Sequence, residues 1–114
     1  MRVLGPDHPE TLNTRSDLAH WQGQAGDTAA AVAAFAELLP DQVRVLGPDH
    51  PDILNTRGHL AHWRGEAGDA AGAAVVAGGL LDDMLRVLGP DHPATLNTRG
   101  HLAHWRGVAA RGGA

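Results

Sequence analysis

Histidine is the most versatile chemical group in this chain, with eight residues among 114. His59, His62 and Glu66 are spaced to share one face of a helix, which could build a metal site of two histidines and one carboxylate. The first copy of the same segment carries Asp17 and Gln24 at the matching positions, so this ligand set is not reproduced along the chain. We therefore expect no metal site and no cofactor.

Residues suited to covalent catalysis are scarce. The sequence has no cysteine and no lysine, and Ser16 is its one serine. These absences exclude a thiol nucleophile, a Schiff-base lysine and a P-loop lysine. Ser16, Asp17 and His20 are the residue types of a catalytic triad, but the adjacent Ser16 and Asp17 do not face each other on a helix, and no oxyanion hole is suggested. The sequence predicts a protein without enzymatic activity.

Charge and hydropathy exclude other classes of function. The formal net charge is −4 and there is no basic run, which argues against a nucleic-acid partner. The longest wholly apolar run, Ala29 to Ala36, is far shorter than the roughly 20 residues that span a bilayer. The first residues do not resemble a signal peptide, and the absence of cysteine suits a reducing compartment. We expect a cytoplasmic location and no membrane partner.

The elements that position these residues repeat along the chain. An Arg-Val-Leu-Gly-Pro-Asp-His-Pro block recurs with a period of 42 residues, and each copy precedes a Leu-Asn-Thr-Arg-x-x-Leu-Ala-His-Trp-x-Gly block. The first block occupies 2–9, 44–51 and 86–93, and the second occupies 12–23, 54–65 and 96–107. Self-similarity at such a period predicts a solenoid of small units rather than one conventional core.

Each unit is predicted to contain two helices. First helices are expected at about 9–25, 51–67 and 93–107, and second helices at about 28–46 and 70–88. Expected N-caps are Asp7, Asp49 and Asp91 for the first helices and Asp27 and Asp69 for the second, with left-handed stops at Gly26 and Gly68. The array is divided into repeat one (9–47), repeat two (51–89), a partial repeat three (93–107) and a frayed tail (108–114). Arg2 to Leu4 are interpreted as the last turn of another second helix.

Apolar periodicity selects a buried face for the first helix. Its expected stripe is Thr11, Thr14, Leu18, Trp21 and Ala25, widened by Leu12 and Ala19. The recurring Trp21, Trp63 and Trp105 are accordingly expected to pack in the interior. The arginines at 15, 57 and 99 are expected to lay their stems over this surface and pair their heads with aspartates.

These landmarks resemble a known family. The Leu18-Ala19 pair, the Ala31 to Phe35 pattern and the Leu-Gly-x-x-His-Pro junction resemble tetratricopeptide repeats of the 42-residue, kinesin-light-chain-like type, also seen in actinobacterial signalling NTPase arrays. The resemblance implies an all-α fold of about five helices, a right-handed superhelix with its concave wall formed by the first helices. It implies a protein-interaction scaffold within a regulatory protein, which binds an extended peptide on the concave face.

Polar residues on the first helices are the candidate peptide-binding set. Asparagine and neutral histidine can each donate and accept hydrogen bonds, as a peptide backbone requires. We expect His20, His62 and His104 to stack in a column along this face. The full set is Asn13, Asp17, His20, Gln24, Asn55, His59, His62, Glu66, Asn97, His101 and His104.

Self-assembly is the alternative function. The first helix of the array has no second helix before it, and the last has none after it, so both ends should expose apolar surface. Leu102 and Trp105 are expected to be exposed at one end. Without capping units, such ends favour a homo-oligomer, through head-to-tail stacking or exchange of helices between chains.

Overall fold

A computed structural model describes residues 8–112, and it contains five α-helices and no strand over that range. The helices are α1 (Pro9–Gln24), α2 (Thr28–Leu46), α3 (Pro51–Glu66), α4 (Ala70–Val87) and α5 (Pro93–Gly112). The predicted all-α class and the helix count are therefore confirmed. The expected helical turn at Arg2 to Leu4 lies outside the described residues.

The first helices begin at histidines, which corrects the expected aspartate caps. The Nδ1 atoms of His8, His50 and His92 accept hydrogen bonds from the backbone N–H two residues later, each at 3.1 Å. A neutral imidazole can accept in this way and satisfies one of the amides that the helix start leaves free. Asp49 instead pairs with Arg86, with two oxygen–nitrogen distances of 2.9 and 3.0 Å. Asp7 lies outside the described residues.

The turns between paired helices form as predicted. Gly26 and Gly68 have φ values of 98° and 102°, a left-handed backbone that glycine adopts without steric cost. The Asp27 carboxylate then accepts from the N–H of Ala30 at 3.1 Å, and that of Asp69 accepts from the N–H of Gly72 at 2.9 Å. Each turn therefore closes one helix and caps the next.

The end of the chain differs from the expectation of a frayed tail from residue 108. Helix α5 continues to Gly112. Val108 and Ala109 are partly buried, and Ala109 and Ala110 have the highest intrinsic helix propensity, so the helix continues past Gly107. Residues 113–114 of that tail lie outside the described part of the chain.

Consecutive helices pack against each other in order, from α1 to α5. The first helices also contact one another, α1 with α3 and α3 with α5, whereas α2 and α4 are not in contact. This difference curves the array, so that α1, α3 and α5 form its inner, concave layer. The described array extends 53 × 33 × 19 Å.

Only part of the predicted stripe of α1 is buried. Leu12 and Ala19 are buried, but Leu18 is 60% exposed and Trp21 is 67% exposed. Their equivalents in α3, Leu60 and Trp63, are buried in one core cluster with residues of α1 and α2. The Leu/Trp face of a first helix is therefore covered by the repeat before it, and no described element covers it in α1.

Two tryptophan rings join successive repeats by lying against glycine backbone. The ring of Trp63 occupies the space beside Gly23, where an added Cβ would lie only 2.6 Å from ring carbons. The ring of Trp105 contacts Gly65 in the same way. Leu102 and Trp105 are consequently buried, at 7% and 6% exposure, which makes the expectation of an exposed end at these residues wrong. The exposed large apolar residue of α5 is Leu96, at 50%.

An ion pair ties the two helices of each complete repeat together. Arg15 donates to Asp41 at 2.7 Å, and Arg57 donates to Asp83 at 2.6 Å, 42 residues further on. Both pairs are only partly exposed. The predicted pairing of these arginine heads is thereby confirmed in two repeats, whereas Arg99 has no ion pair within residues 8–112 and is exposed.

The tryptophan–glycine contact predicts opposite effects for the same substitution in two repeats. Gly65→Ala should lower the free energy of unfolding by about 1–3 kcal/mol, because its methyl group overlaps the Trp105 ring. Gly107→Ala should raise it by about 0.5–1 kcal/mol, because alanine favours the helix and the nearest atom is the movable Arg111 Nη1 at 3.3 Å. Urea unfolding of both variants measures this, and equal effects would contradict the contact.

Candidate peptide-binding face

Two grooves lie side by side on the concave layer. The first, called the acidic groove, has a volume of about 340 Å³ and lies between α1 and α3 with one residue of α2 at its wall. It is lined by Asn13, Ser16, Asp17, Gln42, Asp52, Asn55, Thr56 and His59. The aspartates and amides make it a polar groove rich in hydrogen-bond acceptors.

The second groove lies one repeat further along and has a different character. Called the methionine groove, it has a volume of about 290 Å³ between α3 and α5, with Met84 of α4 at its wall. It is lined by Leu54, Asn55, Gly58, His59, His62, Met84, Ala94, Asn97, Thr98 and His101. Asn55 and His59 belong to both grooves, so the two form one continuous surface.

His59 stands between the grooves and is half-buried. Its ring stacks on Phe35 of α2, with centroids 5.3 Å apart and planes inclined by 23°. The ring of His20 in the preceding repeat lies 5.9 Å away on another side. In the next repeat Ala77 stands where repeat one has Phe35, so the equivalent His101 has no ring to stack on and is exposed.

The remaining predicted site residues flank the grooves. His20 lies beside Trp63 as well as His59, and its Nε2 is 3.3 Å from the side-chain amide nitrogen of Gln24. His62 and His104 each pack edge-on against the following tryptophan, with centroids 4.7 and 4.5 Å apart. The ring contact between repeats one and two thus runs diagonally from His20 to His59, and the straight histidine column stays a prediction.

Of the predicted set, the structure brings seven residues to the grooves. These are Asn13, Asp17, Asn55, His59, His62, Asn97 and His101. Gln24, Glu66 and His104 are exposed and line neither groove. His20 also lines neither groove, and its ring contacts the shared groove residue His59.

Sequence reasoning missed several groove residues, of which Gln42 carries the clearest signal. It falls at helical spacing after Ala31, Phe35 and Leu38 on the buried face of α2, and it is itself buried. A polar residue inside an apolar stripe is a recognisable exception. Comparison with Met84, its equivalent in repeat two, would also have drawn attention to it.

Burial sets the electrostatics of the central histidines. Burial lowers the pKa of His59, and the neighbouring His20 and His62 lower it further because a second positive charge nearby is unfavourable. Burial also lowers the pKa of His62, with Glu66 acting in the opposite direction. Both rings therefore favour the neutral form, which can donate and accept at once.

The outer aspartates have the opposite environment. Hydrogen bonds from arginine hold the pKa values of Asp41, Asp49 and Asp83 below the ordinary value. These carboxylates are already neutralised by partners on neighbouring helices. Within residues 8–112, no group of three or more histidines and carboxylates is arranged to hold a metal ion.

Comparison with known proteins agrees with this architecture. Residues 11–52 match the family model described as tetratricopeptide repeat. Two crystal structures of nearly identical TPR-like repeats, from a candidate kinesin light chain of Podosopora anserina, superpose with TM-scores of 0.81 (a single-substitution variant) and 0.80. Each is 22% identical and covers 95% of this chain, which spans about half (51%) of theirs. No curated protein matches significantly.

The fold is thus a helix-turn-helix repeat solenoid, and the matched segment recurs through the array with a 42-residue period. Residues 11–52 match a tetratricopeptide repeat, and the fold of the whole array is similar to that of the TPR-like repeats in the two solved structures.

No helix within residues 8–112 combines the length and apolar character that crossing a bilayer requires.

The lowered pKa of His59 predicts that acid weakens the fold. The unfolded chain binds a proton at this histidine near its ordinary pKa of 6.5, whereas the folded protein resists it. Stability should therefore fall as the pH drops through about 6.5. Urea unfolding between about pH 7.5 and about pH 5 measures the loss.

Matched variants assign this pH effect. His59→Asn should reduce the loss of stability between the two pH values, because the variant lacks the histidine whose protonation the folded state disfavours. His101→Asn changes the equivalent but exposed residue and should leave the loss nearly unchanged. An identical pH dependence in wild type and His59→Asn would show that burial of His59 is not the cause.

Proposed function

We propose that this chain is a protein-interaction scaffold without enzymatic activity, whose concave face binds an extended peptide. The tetratricopeptide repeat fold generally mediates interactions between proteins and is typically non-enzymatic. The proposed binding set is the concave residues of α1, α3 and α5, and the proposed setting is a cytoplasmic regulatory protein.

The observation that carries the proposal is the continuity of the two grooves. Asn13, Asn55 and Asn97 are exposed at the same position of three successive first helices, and Asn55 lines both grooves. An asparagine carboxamide can hydrogen-bond both the N–H and the C=O of a peptide unit. A row of such groups therefore supports a strand-like ligand that crosses the repeats.

Selection from a displayed library of random 12-residue peptides tests the proposal. Bound peptides should shift the NMR signals of the Asn13, Asn55 and Asn97 side-chain amides. Asn55→Ala should weaken the selected peptides about fivefold, the cost of roughly one hydrogen bond.

The control is Asp82→Ala, which changes an exposed residue of the outer helix α4 and should leave affinity unchanged. Failure to select any peptide, or selection of peptides whose signals map to α2 and α4, would contradict binding on the concave face.

Self-association is a second candidate function, and the exposed face of α1 favours it. Leu18 and Trp21 are exposed, although the same residue types at 60 and 63 are buried against α2. At the other end Leu96 is 50% exposed, although its equivalents Leu12 and Leu54 are buried. Both end faces match surfaces that pack on second helices elsewhere in the array, so another copy could cover them by stacking or by exchanging helices.

Sedimentation over a wide concentration range tests self-association. The wild-type chain should become heavier between about 5 µM and about 500 µM, because association follows mass action. Trp21→Gln should remain monomeric longer, since it removes the largest exposed apolar side chain of α1. A wild-type chain that stays monomeric throughout would exclude this function.

A further inference from the structure

The acidic groove contains a buried hydrogen-bond acceptor with nothing to bind. Gln42 is 2% exposed, and its Oε1 has no hydrogen-bond partner in the described part of the chain. Its side chain lines the acidic groove beside Asn13, Asn55 and Asp52. Buried polar atoms are nearly always paired, so an unpaired one at a groove wall points to a donor supplied from outside.

Two carboxylates line the same groove as this acceptor, and neither is paired with an arginine. Asp17 and Asp52 line the groove, and neither has an arginine partner within residues 8–112. Asp52 approaches His50 only at 3.9 Å. By contrast, Asp41, Asp49 and Asp83, which lie outside both grooves, are each paired with arginine at 3.0 Å or less. Of the residues that line the two grooves, the only carboxylates are therefore in the acidic groove.

The methionine groove supplies an internal comparison, because it occupies the same place one repeat later. There the positions of Gln42 and Asp52 are taken by Met84 and Ala94, and that of Asp17 by His59. The Met84 sulfur lies 3.0 Å from the Thr98 hydroxyl, within the groove itself. One repeat unit therefore presents oxygen acceptors where the next presents an apolar wall.

We propose that the acidic groove binds an arginine side chain of the peptide that crosses the concave face. The guanidinium group carries five N–H donors and no acceptor, which complements a groove whose Gln42 carbonyl, Asp17 and Asp52 all accept. Its planar shape can engage a carboxylate and the carboxamide oxygen together. This assignment rests on the proposed function and adds the chemical class of the ligand.

NMR titration with a small probe tests the groove by itself. N-acetyl-arginine methylamide should shift the signals of the Gln42, Asn13 and Asn55 side-chain amides. N-acetyl-citrulline methylamide has nearly the same shape without the charge and should bind about fivefold more weakly, as expected for two partly exposed ion pairs. Added salt should reduce this difference, because it screens the charges.

The double variant Gln42→Met with Asp52→Ala gives the acidic groove two residues of the methionine groove. The fold already accommodates both residues at the equivalent positions 84 and 94. This variant should lose most of the preference for arginine over citrulline, because Asp17 is the one proposed acceptor that it keeps. Met84→Leu, which changes the other groove, should retain it.

Equal affinity of the wild-type chain for the two probes would overturn the proposal. A preference that survives undiminished in the double variant would also overturn it, since the arginine would then be held elsewhere, as at Asp41, Asp49 or Asp83. Either result leaves peptide binding on the concave face to be decided by the library selection. A chain that selects peptides without regard to basic residues would retain the proposed function and lose this inference.

Discussion

The contact on which the array depends is a tryptophan ring lying against the glycine backbone of the preceding repeat. Trp63 on Gly23 and Trp105 on Gly65 bring successive first helices to contact distance. A Cβ atom at either glycine would occupy the space of the ring, so the glycine sets how closely the repeats approach. That spacing determines the curvature of the inner layer, and the grooves exist because neighbouring first helices are held at this distance.

The repeats share one architecture but carry two kinds of groove, because some residues of the groove walls lie outside the repeated sequence blocks. Leu54, Leu80 and Met84 form one buried cluster in repeat two, whereas the position of Met84 is held by Gln42 in repeat one. An unbranched side chain of similar length fits in both cases, so the packing tolerates the exchange while the chemistry changes from apolar to accepting. His59 lies between the two grooves, where its ring stacks on Phe35 of α2.

The features predicted correctly from the sequence are those set by neighbouring residues in the chain. They are the helices, the left-handed turns at Gly26 and Gly68, and the aspartate caps at Asp27 and Asp69. Sequence reasoning placed the cap of α3 at Asp49 because aspartate is the commoner capping residue, whereas long-range pairing draws Asp49 to Arg86. It placed all three tryptophans on a buried stripe and expected Trp105 to be exposed at an uncovered end, whereas Trp21 is the exposed one. Their burial depends on a neighbouring repeat, which the sequence of one helix cannot reveal. Of the candidate site, seven first-helix residues were foreseen, whereas Asp52 in the first turn of α3 and Gln42 on the second helix α2 were not.

The exposure of the three indole rings in the unmodified chain tests this account most directly. Their side-chain N–H signals can be observed separately by NMR in dilute solution, with a soluble gadolinium chelate added to broaden whatever it reaches. The account predicts strong broadening at Trp21, which is 67% exposed, and little at Trp63 and Trp105, which are 5% and 6% exposed. Broadening of Trp63 or Trp105 as strong as that of Trp21 would contradict the packing of each repeat on the glycine of the one before it.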